Sequence, residues 1–164
     1  MTNVQHGREE ERVRDYPRPP RLEPAGRRVR IVLGGETIAD TSEALRVLET
    51  FHPPTYYLPV AVFRPGVLMP GSARGSWCEW KGRARYWTVA AGSRSVLDAA
   101  WGYPDPAPAY AADLRGHVAV YADPMDACYV GEERVRPQPG SFYGGWITRE
   151  LVGPFKREPG TDGW

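Results

Sequence analysis

Lysine is almost missing from this chain of 164 residues: among 21 basic side chains the only lysines are Lys81 and Lys156. Cysteine is equally scarce, with Cys78 and Cys128 alone, and histidine is confined to His6, His52 and His117. Two cysteines cannot build a four-cysteine zinc centre, and no Cys-x-x-Cys pair occurs. The histidines are far apart and none has a second at helical spacing, so each reads as an ordinary satisfied side chain. Neither a metal nor a cofactor is therefore expected. Long apolar runs are absent too. The longest, residues 56–63, contains Pro59 and is far too short to span a bilayer, so no membrane partner is expected. A polar, charged stretch over residues 1–14 predicts no secretory signal. With the low cysteine content it points to a reducing cytoplasm and two free thiols. Charge of one sign is also missing: 21 basic against 20 acidic residues leave +1, which argues against a nucleic-acid partner.

Several catalytic motifs are absent. No Gly-x-Gly-x-x-Gly follows a strand, no Gly-Lys-Ser/Thr occurs, and Gly-x-Ser-x-Gly is missing. Gly71-Ser72 is followed by no Asp-x-Asp pair that would hold Mg²⁺, so nucleotidyl transfer has no motif here.

What the chain does have is glycine (18), proline (17), six tryptophans and nine tyrosines. Glycine and proline oppose helix interiors, while aromatics favour strands. Val29, Ile31 and Leu33 alternate with Arg28 and Arg30, and Gly34-Gly35 supplies the positive φ of a tight hairpin before 37–40 returns. Residues 42–50 fit a helix face or a strand, with strand preferred because they lead into Tyr56-Tyr57-Leu58. Residues 64–75 read as a Gly- and Pro-rich loop. An extended run resumes over 77–80, and 83–89 alternate again, with Ala84, Tyr86 and Thr88 on one face. Asp98-Ala99-Ala100-Trp101 predicts one helical turn at most, and 103–108 a rigid loop. Further strands are expected at 117–121, 127–130 and 133–136. The expected fold is mainly β: a single small barrel-like or β-tent domain with one or two short helices. An extended N-terminal arm covers 1–26, the β domain 27–136, and a Gly/Pro-rich wrap of the same domain 137–164.

One constellation is dense enough to carry chemistry. Residues 77–87 hold Cys78, Trp80, Lys81, Arg83, Arg85, Tyr86 and Trp87. A thiol near Lys81 and Arg83 would favour its thiolate, the nucleophilic form. Rings with arginine could stack on a planar ligand. The plain alternative is core packing, with Cys78 a small buried hydrophobe. Aromatic clusters at 99–104 and 142–146 are adequately explained by packing, but Trp101 and Tyr103 could join the same pocket. The candidate ligand-binding residues are Cys78, Trp80, Lys81, Arg85, Tyr86, Trp101 and Tyr103, and Cys78 is the catalytic candidate. The ligand those groups would reward is a planar anionic small molecule. Three functions stay open: a small-molecule-binding protein or unassigned enzyme, a thiol-dependent redox or acyl-transfer enzyme using Cys78, and a protein-interaction or structural domain. A homodimer is open as well.

Cys78-Glu79-Trp80-Lys81-Gly82, Ala84, Tyr86, Asp98-Ala99-Ala100-Trp101, Tyr103-Pro104 and Gly116-His117-Val118-Ala119 together resemble the signature of domain of unknown function 427, also labelled nucleotidyltransferase-like. The likeness continues through Gln138-Pro139-Gly140 and residues 142–148. Asp15-Tyr16-Pro17-Arg18-Pro19-Pro20 and Gly34-Gly35-Glu36 resemble the longer, actinobacterial-type members. The resemblance implies a β-tent fold, shared with methionine-R-sulfoxide reductases and with zinc-binding cereblon- and Yippee-type domains. The Cys-x-x-Cys knuckles of the zinc-binding relatives are missing, so a zinc site does not carry over. The reductase relatives use a cysteine nucleophile, an analogy that Cys78 invites but that fold alone does not establish.

Overall fold

The computed structural model describes residues 9–73, 82–106, 113–140 and 143–158, together with the backbone of 76–78. In chain order the strands begin with β1 (Glu11–Arg12), β2 (Arg21–Pro24), β3 (Val29–Leu33), β4 (Glu36–Thr41), β5 (Leu45–Leu48) and β6 (Thr55–Pro59). They continue with β7 (Leu68–Pro70), β8 (Ser76–Cys78), β9 (Gly82–Ala91), β10 (Arg94–Gly102) and β11 (His117–Val120). The last are β12 (Ala127–Val130), β13 (Glu133–Arg134), β14 (Arg136–Pro137), β15 (Trp146–Ile147) and β16 (Leu151–Val152). Among the described residues no α-helix occurs, and Val13–Asp15 and Val60–Val62 are single 3-10 turns. The fold is mainly β.

Two sheets carry the structure. The larger runs β2-β5-β6-β11-β10-β9-β7, with β8 also on β9, and the smaller runs β13-β12-β3-β4. The larger path is open at β2 and β7, so it does not close into a barrel. Period-two alternation decides what each strand buries. In β3, Val29, Ile31 and Leu33 are fully buried while Arg30 and Val32 are half-buried. They join Ile38 of β4, Tyr56 and Leu58 of β6, Val118 and Val120 of β11, and Val89 of β9 in the main core. Their alternates on the larger sheet point the other way. Tyr57, Ala84, Tyr86, Trp101 and Ala119 form a second cluster with Val47, Tyr103 and Leu114.

Strand β9 serves both clusters, one from each of its faces. Ala84 and Tyr86 belong to the second cluster, whereas Trp87 and Val89, on the alternate face, pack into the main core. Its partner β10 carries a bulge. Val96 pairs with Val89 and Ala100 with Trp87, so residues 97–99 face Thr88 alone. Asp98 at its centre has φ 54°. Its carboxylate accepts hydrogen bonds from the backbone N–H (2.8 Å) and hydroxyl (2.6 Å) of Ser72. The helical turn expected at Asp98–Trp101 is therefore an extended strand. Ladders on both sides, Trp101 with Tyr86 and with Ala119, outweigh the weak local preference of Ala99-Ala100. The loop expected over 64–75 contains β7, which pairs with Thr88 and its neighbours despite Pro70 because it lies on the sheet edge. The single strand expected at 133–136 breaks at Val135, which is buried and donates its N–H to Cys128 O at 2.9 Å.

A third cluster joins the two ends of the described chain. Val13, Tyr16 and Leu48 pack with Ile147, Leu151 and Phe155, and β1 pairs with β16 in parallel. Arg46 seals this corner. It is 2% exposed. Its two terminal nitrogens donate to the two Glu11 oxygens (3.1 and 2.9 Å), and its Nε donates to Glu23 (2.8 Å). Tyr16 donates its hydroxyl to Glu11 at 2.6 Å. Burial, and then that bond, push the Tyr16 phenol far above its usual range.

Cys128 lies on β12, fully buried and free. Burial raises its thiol well above the usual range, and Arg134 opposes this weakly. The unfolded thiol ionises near pH ~8.5 while the folded one does not. Its contribution to stability is complete below that pH and is lost as pH rises. Above about pH 9 the stability should fall by up to ~1.4 kcal/mol per pH unit from this group. Urea titrations between pH 7 and 10.5 should show a shallower decline for Cys128→Ala, and identical slopes would refute the assignment.

Candidate functional site

The second cluster is the face of the larger sheet that turns away from the smaller one. Its rings come from four strands or their ends. Tyr57 and Trp101 meet edge to face at 6.5 Å, Tyr57 and Tyr103 lie 6.4 Å apart, and Trp101 packs on the half-buried Tyr121 at 4.5 Å. Gly144 passes over the edge of Trp101, where a Cβ would sit 2.1 Å from Cη2, so only glycine fits that backbone. Tyr86 pairs with Trp101 across the β9–β10 ladder. Tyr86, Trp101 and Tyr103, distant in sequence, are thus brought into one cluster, all buried.

Arg85 is not brought to them. It alternates to the opposite face of β9, is exposed, and lays its guanidinium 4.2 Å from the centre of the Trp87 ring. Strand β8 places the Cys78 backbone opposite Gly82 in an antiparallel hairpin. Gly82 has φ 105°, a conformation that side chains other than hydrogen resist, which accounts for the glycine that ends the motif. The Cys78 side chain, Trp80 and Lys81 lie outside the described residues. The β8–β9 register sets the backbone of Ser76–Cys78 against Gly82–Ala84.

A family model for NTP_transf_9, domain of unknown function (DUF427), matches residues 21–131. The chain belongs to the DUF427 family. No curated protein matches it. The matched span of this DUF427 chain contains β2 to β12 and all of the second cluster. Among its described residues no group of three or more His, Cys, Asp or Glu is placed to hold a metal ion, and no helix is long and apolar enough to cross a membrane.

One concavity went unrecognised in the sequence. Arg18, Pro20, Glu49, Thr50, Phe51, His52 and Lys156 line a cleft of about 520 Å³. The β5–β6 connection forms its floor. Phe51 has φ 69°, a costly conformation for a bulky side chain at about 1–2 kcal/mol. It is held there because its N–H donates to Val13 O (2.9 Å) and its carbonyl accepts from the Lys156 N–H (2.8 Å). Thr50 donates its hydroxyl to Tyr16 O at 2.6 Å, tying down the segment that carries Arg18. Gln138 donates to Lys156 O at 3.1 Å and lies 3.2 Å from His52 Nδ1. The usable signals in the sequence were Lys156, one of just two lysines, and the His52-Pro53-Pro54 bend.

Proposed function

We propose that this protein binds a planar small molecule carrying an anionic or carbonyl group on the aromatic face of the larger sheet. In this reading Cys78, Trp80 and Lys81 contribute to binding, and the protein works in the cytoplasm. The observation that carries it is the contrast between the two faces of one sheet. The main core is filled chiefly by Val, Ile, Leu and Ala. The opposite face gathers Tyr57, Tyr86, Trp101, Tyr103 and Tyr121. Packing alone favours aliphatic side chains without polar atoms. Rings that each carry a polar handle suit a ligand that stacks and accepts hydrogen bonds. Lys81 supplies the compact ammonium that an anionic substituent would meet.

A thermal-shift screen of nucleobases, nucleotides, aromatic acids, sugars and fatty acids tests this. A planar anion at about a hundred times its Kd should raise Tm by roughly 5–10 °C. Trp80→Ala and Lys81→Ala, each shown to be folded, should lose most of that shift. Stabilisation confined to sugars or fatty acids would overturn the reading, as would planar-anion binding that both substitutions leave intact.

A further inference from the structure

We infer that the cleft between Arg18, Glu49 and Lys156 is a second, separate binding site. Its ligand is a small anion that also carries a hydrogen-bond donor. Among the described residues the charges around the cleft lack ionic partners. Among the described residues Arg18 and Glu49 form no ion pair or side-chain hydrogen bond, and the Lys156 ammonium meets only the Tyr143 ring, at 5.1 Å. Neither cation closes on Glu49, although all three line the same space. Opposite charges held apart around a cavity leave room for a ligand to bridge them. Its anionic group would meet Arg18 and Lys156, and its hydroxyl or ammonium donor would meet the Glu49 carboxylate.

The walls are fixed before any ligand arrives. Lys156 is tied by its N–H to Phe51 and by its carbonyl to Gln138. The Arg18 segment is tied through Tyr16 to Thr50. Phe51 is kept in a left-handed conformation by bonds to both ends of the described chain. Backbone strain sustained by surrounding contacts is a recurrent property of ligand sites, and the volume of about 520 Å³ suits a metabolite-sized molecule. Pro20 and Phe51 give it an apolar side. The site draws on Arg18 and Lys156, both outside the family-matched span of 21–131, so it is a property of this longer chain rather than of the matched domain.

Calorimetric titration of the full chain separates the chemistry. The probes are inorganic phosphate (anion alone), glycerol 3-phosphate (anion with hydroxyls), serine (carboxylate with ammonium) and glycerol (no charge). At least one of the two bifunctional probes should bind about tenfold more tightly than phosphate, and glycerol should not bind. Arg18→Ala and Lys156→Ala should each weaken that probe about tenfold or more. Glu49→Gln should remove its advantage while leaving phosphate binding equal or stronger. Lys81→Ala should change none of these values, which keeps the site distinct from the aromatic face. Absence of binding by all probes at millimolar concentration would overturn the inference. Binding indifferent to Arg18→Ala and Lys156→Ala would do the same.

Discussion

Replacing Arg46 with alanine should destabilise the protein by about 3 kcal/mol, at the lower end of what breaking a buried ion pair costs. The guanidinium is almost fully buried and satisfies two carboxylates at once, Glu11 through a two-pronged contact and Glu23 through Nε. Removing it leaves both carboxylates facing a cavity without their counter-charge. Each is still about a quarter exposed, with side-chain accessibilities of 23% and 26%, which lets water soften the loss. Arg46→Met should recover the packing but not the charge balance. Adding Glu11→Gln to it should therefore destabilise by less than the two single changes combined. Urea denaturation of the four proteins measures this. An Arg46→Ala variant within about 0.5 kcal/mol of the parent would show the network to be ornamental.

Gly34→Ala should be similarly damaging, at about 2–5 kcal/mol. Gly34 has φ 61°, and a Cβ there would sit 2.2 Å from Ala91 O and 2.8 Å from Ala91 C. Both obstacles are backbone, so nothing can rotate aside. The approach is mutual: a Cβ on Gly92 would come within 2.7 Å of Gly34 O. The β3–β4 turn of the smaller sheet therefore abuts the β9–β10 turn of the larger one. The left-handed conformation accounts for about 1–2 kcal/mol and the overlap for about 1–3 more. Gly35 is the internal control. It has φ 77° with open space around it, so Gly35→Ala should lose only the conformational share. Equal destabilisation by the two substitutions would mean that the contact between the turns carries no weight.

Part of this architecture is legible in local pattern alone. The Val29-Ile31-Leu33 alternation and the Gly34-Gly35 turn are the β3–β4 hairpin, and residues 127–130 are β12 as expected. The preference for strand over helix in residues 42–50 holds at β5, whose partners lie on both sides. What could not be read depends on neighbours distant in sequence. Asp98-Ala99-Ala100-Trp101 has little strand character of its own and becomes strand only between β9 and β11. Tyr86, Trp101 and Tyr103 could be grouped by residue type, and the alternation legible over 83–89 already sets Arg85 on the face away from Tyr86. The charged cleft had only two local hints, the rare Lys156 and the His52-Pro53-Pro54 bend, and nothing in the sequence joins residues 18, 49–52 and 156 until β1 and β16 bring the ends of the described chain together.

That last pairing sets an order of events. Glu11 and Arg12 align with Leu151 and Val152, some 140 residues downstream. At typical synthesis rates the ribosome needs roughly 7–28 s to deliver the later partner after the earlier one. Throughout that interval Val13 has neither Ile147 nor Leu151 to bury it, although Arg46 can already hold Glu11. The earlier-made segment is thus among the last to be seated, and the cleft floor that hangs from Val13 and Lys156 takes shape only at that closing step.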